Sequence, residues 1–135
     1  MNAIEHEIKF VESFIRKEKR ERYSLALKGS AKHRKKILDK FYHSLIMHLL
    51  PECIIHLNSS LQSIISIRHL LLSKNAPLSC YLMGNSELDK KTIALDDALN
   101  MVVGYDSGTV ISCIPGKLAY YEAEGKNCRY ILEKK

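Results

Sequence analysis

Leu78-Ser79-Cys80-Tyr81-Leu82-Met83 is the stretch on which the fold turns. It is an apolar run with few polar breaks, as in a strand whose two faces are both covered. It predicts a central strand.

Downstream, Gly84-Asn85-Ser86-Glu87-Leu88-Asp89-Lys90-Lys91 reads as a polar loop. A short helix near Leu95 to Val103 follows, with Asp96 and Asp97 in its first turn and Gly104 placed to end it. Thr109 to Ile114 is a strand. Pro115-Gly116 suits the central positions of a type II turn, so Lys117 to Glu122 is its antiparallel partner. Glu124-Gly125-Lys126-Asn127 makes another turn before a last strand, Cys128 to Leu132.

Upstream, Asn75-Ala76-Pro77 ends a helix over Leu61 to Ser73. Its apolar residues run nearly all round, which predicts a largely buried helix. Asn58-Ser59-Ser60 offers N-caps, and Glu52 to Leu57 is a short strand. Before Pro51 lie two helical patterns. Residues 2–23 carry Ile4, Ile8, Val11 and Ile15, widened by Phe10 and Phe14. Residues 31–50 carry Ile37, Leu38, Phe41, Leu45 and Leu49. Lys28-Gly29-Ser30 separates them, with Ser30 as N-cap.

The expected fold is a mixed α/β (α+β) chain: an N-terminal helical hairpin, then a small mixed five-stranded sheet, in the order α-α-β-α-β-α-β-β-β. Two right-handed crossovers would give three parallel strands, and a meander would add antiparallel ones. The seam falls at Pro51, dividing a basic helical hairpin over 1–50 from a small α/β unit over 51–135, and the two are expected to pack as one compact unit. In 135 residues with 46% hydrophobic content there is enough apolar material for a core without metal or disulfide staples.

The net charge of +6 is unevenly placed. Residues 1–50 hold twelve Lys+Arg against six Asp+Glu, whereas 51–135 hold nine of each. Arg16, Lys17, Lys19, Arg20 and Arg22 close the first helix; Lys32, Arg34, Lys35 and Lys36 open the second. Cations at a helix N-terminus oppose its dipole by about a few tenths of a kcal/mol, so the second cluster points to a role other than helix stability. In an antiparallel hairpin the two clusters converge, with Tyr23 between them to stack on a base. Arg16, Lys17, Lys19, Arg20, Arg22, Tyr23, Lys32, Arg34, Lys35 and Lys36 therefore form the candidate nucleic-acid surface, for RNA rather than a defined DNA sequence. The opposing reading is a solvated helix pair whose cations are neutralised by Glu12, Glu18 and Glu21.

Catalytic and metal signatures are absent. His43 and His48 are five apart, about 500° around a helix, and so do not share a face. Cys53 and His56 would point to opposite sides of a strand. No zinc-knuckle, nucleophile-elbow, Walker or dinucleotide pattern occurs. Cys80 and Cys113 fall in core strands, where thiols are inert. No cofactor, metal or catalytic residue is therefore expected. The N-terminus shows no secretory signal and Ile54 to Leu72 is too interrupted to span a membrane, so a cytoplasmic location is expected.

Two further readings stand beside nucleic-acid binding. One is a protein-interaction module, docking on an acidic partner or forming a homodimer through the Ile4, Phe10 and Phe14 stripe. The other is a small enzyme or ligand site at the strand-end loops, drawn from Asn58, Ser59, Gly84, Asn85 and Ser86, because open parallel sheets bind ligands beyond strand carboxyl ends.

Overall fold

The structure is a computed structural model that describes residues 3–84, 86–125 and 128–135. In chain order the helices are α1 (Ala3–Phe14), α2 (Arg20–Lys28), α3 (Ala31–His43), α4 (Leu45–His48), α5 (Ile64–Ser73) and α6 (Leu95–Val102). The strands are β1 (Ile54–His56), β2 (Ser79–Gly84), β3 (Thr92–Ala94), β4 (Thr109–Ile114), β5 (Leu118–Glu122) and β6 (Arg129–Glu133).

The strands form one six-stranded sheet in the order β1-β6-β5-β4-β2-β3. Every pairing is antiparallel. This corrects the expected mixed five-stranded sheet, although the mixed α+β class stands. β1 and β2 do run the same way, but the β4–β5–β6 meander lies between them, so no parallel pair forms. The additional strand, β3, is only three residues long and pairs with β2 at the edge.

Strand alternation sends side chains into two cores. Tyr81, Met83, Val110, Ala119, Tyr121 and Leu132 pack with Phe10, Phe14, Tyr23, Leu27, Ile37 and Phe41 on one face. Cys80, Leu82, Ile111, Tyr120 and Ile131 pack with Ile67, Leu71, Leu95 and Leu99 on the other. Within the apolar run, residues 80–83 are buried on both faces while Leu78 is 73% exposed and Ser79 is exposed, and burial on both faces does not require parallel neighbours.

Local chemistry sets many boundaries. The Ser30 side chain accepts the His33 N–H at 3.3 Å and starts α3. Gly116, at φ 70, and the 2.9 Å bond from Lys117 N–H to the Ile114 carbonyl close the β4–β5 turn. Gly104 follows α6 at φ 94. Asn58 caps only a single 3-10 turn, Ser59–Leu61, and α5 starts later, where the Ser63 side chain accepts from Ser66 N–H. Nor is α5 largely buried: Ile67 and Leu71 face the core, while Ile65 is 82% exposed.

The long first helix is broken although it contains neither Gly nor Pro. At Arg16 the backbone is extended (φ −54, ψ 139). Ile15 pairs with Leu49 in an isolated antiparallel bridge, and the bonds Arg16 N to His48 O and Leu50 N to Phe14 O are both 2.7 Å. Arg20 Nε caps the end of α1 by donating to the Ile15 carbonyl at 2.8 Å. A long-range pairing thereby replaces continued helix and redirects α2. The second pattern likewise divides into α3 and the short α4.

The C-terminal end of α3 is tied to the sheet. Tyr121 Oη donates to the Phe41 carbonyl, and Glu124 N–H donates to the Tyr42 carbonyl at 3.0 Å. Gly108, at φ +62, sits so close that an added Cβ would lie 2.8 Å from the Tyr42 nitrogen. Gly108→Ala should therefore lower unfolding free energy by about 2 kcal/mol or more, through the left-handed backbone and the clash together. Urea denaturation checks this, and an unchanged midpoint with unchanged slope would contradict the packing described.

Candidate functional site

Among the described residues, Arg34 is the most deeply buried and most fully hydrogen-bonded cation. It lies on the stripe of α3 that also carries Ile37, Leu38 and Phe41, and it is 5% exposed. Its Nε and Nη2 donate to Asp89 Oδ2 and Oδ1 at 2.8 and 2.9 Å. Nη1 and Nη2 donate to Glu7 Oε1 and Oε2 at 2.8 and 2.9 Å. Nη1 also reaches the Leu27 carbonyl at 3.2 Å. All five N–H donors of the guanidinium are thereby used, four of them in two carboxylate forks. Burial opposes the charge, but the bonds to Asp89 and Glu7 outweigh it and hold Arg34 above its already high range. Glu7 in turn accepts from Tyr81 Oη, and Asp89 Oδ1 accepts from Gly84 N–H at 3.2 Å.

Arg34 and Tyr23 therefore leave the expected nucleic-acid surface. Tyr23 is fully buried, and its hydroxyl bonds His48 Nδ1 at 2.8 Å. Neither residue lines the groove between α2 and α3, because the two helices turn them inward with Leu27 and Phe41. The signal for both lay in helical spacing: position 34 falls with 37, 38 and 41, and position 23 with 27.

The remaining cations separate into two groups. Arg22, Lys36 and Lys40 face one another across a groove of about 540 Å³ between α2 and α3, with His33 beside them and Leu25, Ala26 and Ile37 as an apolar lining. Arg16, Lys19, Arg22 and Lys40 all act on half-buried His48. Burial first, and then these charges, hold its pKa below the ordinary 6.5. Lys32 and Lys35 are exposed and do not line the groove: Lys32 lies one turn before Lys36, and Lys35 is turned about 100° away from it around α3. Lys17 is exposed on the turn before α2. Arg16 and Arg20 spend part of their hydrogen-bonding capacity on the carbonyls of Met47 and Ile15. Among the described residues, no ion pair joins a carboxylate to Arg16, Lys17, Lys19, Arg20, Arg22, Lys32, Lys35, Lys36 or Lys40. Arg22 and Lys36 were legible in the sequence as part of this surface, whereas Lys40, which lines the groove, and His48, which lies within reach of its charges, depend on how α2 and α4 fold back.

A second cavity, of about 580 Å³, opens on the other edge of α2. Ala3, Ile4, Glu7, Ile8 and Val11 of α1 form one wall; Ser24, Leu27, Lys28 and Gly29 form another. Arg34, Tyr81 and Lys90 complete it.

The strand-end loops do not assemble one site. β1 and β2 are four places apart in the sheet, so Asn58 and Ser59 lie about 19 Å from Gly84 at the usual strand spacing. Asn58 Oδ1 is occupied by Ser60 N–H and Oγ, and Ser86 Oγ accepts from Leu88 N–H. Asn85 lies outside the described residues.

Several other reactive groups are inward-facing. Ser112 Oγ and His6 Nδ1 are 2.6 Å apart, a nucleophile–base contact in type. Ser112 is 2% and His6 6% exposed, and neither lines either cavity. Burial lowers the His6 pKa, with Glu5 opposing it, and the ring stacks on Tyr81 at 5.4 Å. Burial pushes the Cys80 thiol up to about 12 and raises Cys113 further. Glu122, fully buried, accepts from Gly104 and Asp106 N–H and from Tyr120 Oη, which pins the loop after α6 to β5. Among the described residues no cluster of His, Cys, Asp and Glu could hold a metal ion, and no helix is long and apolar enough to cross a membrane. Comparison with family models, curated proteins and solved structures finds no match for this chain.

Removing the Arg34 guanidinium would leave Glu7 and Asp89 uncompensated. Arg34→Met should cost about 3–5 kcal/mol of stability. Adding Glu7→Gln and Asp89→Asn should recover part of that loss, since no unpaired charge then remains. Urea midpoints at neutral pH check both outcomes.

His6 and His48 predict a pH dependence. Their folded pKa values lie below 6.5, so the unfolded chain takes up protons first as pH falls. Stability contributed by their neutral forms is present above pH 6.5 and is lost progressively below it. His48→Gln should reduce the loss measured between about pH 7.5 and 5.5. An identical pH slope would contradict the assignment.

Proposed function

We propose that the α2–α3 groove binds the phosphate backbone of a nucleic acid, single-stranded or structured RNA in preference to a particular DNA sequence. The observation that carries this reading is the convergence of Arg22, Lys36 and Lys40 on one groove with no carboxylate ion-paired to them among the described residues. Cations brought together repel one another, and a row of phosphates relieves that repulsion while releasing counterions. Lys19 and Arg16 extend the positive field toward His48.

With Tyr23 buried, the stacking platform expected between the helices is gone. The reading therefore becomes backbone contact with little base discrimination. The homodimer reading loses its main support as well. Phe10 and Phe14, the bulk of the stripe invoked for it, are each 1% exposed because they pack against the sheet.

Fluorescence anisotropy with a labelled single-stranded RNA tests the proposal. Affinity should fall with salt by a slope of about 0.7 per phosphate neutralised. Arg22→Glu, Lys36→Glu and Lys40→Glu combined should weaken binding by about 100-fold, with only small effects on stability because the sites are at the surface. Lys32→Glu with Lys35→Glu should do much less. RNA in the groove should also raise the His48 pKa by screening its cationic neighbours, which NMR titration reads directly. No binding, or binding indifferent to the triple variant, would refute the proposal.

A further inference from the structure

The cavity between α1 and α2 is separate from the cationic groove, and its chemistry is different. Ile4, Ile8 and Val11 recur at helical spacing along α1 and face Leu27 across it. Its volume, about 580 Å³, is in the range that holds a small organic ligand.

The polar part of the lining is asymmetric. Glu7 is the only carboxylate among the described residues that line it, and both of its oxygens are engaged, by the Arg34 fork and by Tyr81 Oη. It has little unmet demand for a cationic ligand. Arg34, in turn, has no donor left for an anion. The charges still open to a ligand are the exposed Lys28 and Lys90. Lys90 is held in the left-handed region at φ 68, where its N–H donates to the Leu82 carbonyl at 2.9 Å. Lysine is uncommon in that conformation, and glycine or asparagine would suit the turn better. Lys90 thus presents its ammonium from a backbone conformation that lysine seldom adopts.

We infer that this cavity binds an amphipathic monoanion, a medium-chain aliphatic carboxylate in chemical class. The hydrocarbon body would lie along Ile8, Val11 and Leu27, and the carboxylate would meet Lys28 and Lys90 at the mouth. The inference does not rest on the nucleic-acid reading, because it uses the opposite edge of α2.

Decanoate titrated into the full-length, isotopically labelled protein provides the test. Intermolecular NOEs should connect its chain to the methyl groups of Ile8, Val11 and Leu27. Ile8→Trp should obstruct the part of the cavity beside Val11 and Leu27 and so weaken these contacts and the binding. Lys28→Glu with Lys90→Glu should weaken decanoate by about tenfold while leaving decan-1-ol little changed, since only the charged head is affected. Absence of decanoate binding would overturn the inference. So would NOEs confined to Leu25 and Ile37 of the other groove, or equal binding of decanoate by the charge-reversed protein. If Ile8→Trp does not fold, the NOE pattern of the unsubstituted protein decides the question.

Discussion

A single guanidinium inside the protein constrains how its helical layer meets the sheet. Arg34 joins Glu7 of α1, the Leu27 carbonyl of α2, its own helix α3 and Asp89 of the β2–β3 connection, while Glu7 carries the link on to Tyr81 of β2. Desolvating a charge is costly, and the arrangement is tolerable because every donor finds a partner. That completeness makes the constraint geometric. α1 cannot rotate or slide without unpairing Glu7, and the β2–β3 turn cannot move without unpairing Asp89. The conflict between a cation-rich helix start and the dipole of α3 is resolved, at this one position, by two carboxylates from elsewhere in the chain.

This constraint also shapes the surface. Since α1 is tied to α3 through Arg34, α2 lies with one edge toward each neighbour. Ser24, Leu27 and Lys28 border the cavity shared with α1, whereas Arg22, Leu25 and Ala26 border the groove shared with α3. Two recesses of similar size but different chemistry therefore share one short helix. The cavity is apolar with lysines at its rim. The groove brings Arg22, Lys36 and Lys40 together with Leu25, Ala26 and Ile37.

Much of the secondary structure was legible in the sequence because its causes are local. The β4–β5 turn follows from Pro115-Gly116, the start of α3 from Ser30, and the end of α6 from Gly104. Other features had no local cause to read. The break at Arg16 arises from pairing with residues more than thirty positions away, at His48 and Leu50. β3 is too short to show alternation. The candidate groove was half legible: clustered cations are visible in the residue order, but which of them face the same space depends on helix rotation and on the return of α4. Arg34 and Tyr23 were readable as inward-facing from their spacing, yet their partners were not, since Glu7, Asp89 and His48 are remote in the chain.

The residue order by itself determined that this protein has helices and strands in near their observed positions, that the strand through 80–83 is covered on both faces although it lies next to the sheet edge rather than at its centre, and that its excess positive charge lies in the first fifty residues. Periodicity and capping act over a few residues, so they are written into the chain directly. Only the tertiary structure decided that every strand pairing is antiparallel, that one arginine of the basic cluster is interior, and that three of the other basic side chains share a groove. Those outcomes depend on which distant segments meet, and that is settled by closing two cores and satisfying a buried charge at once.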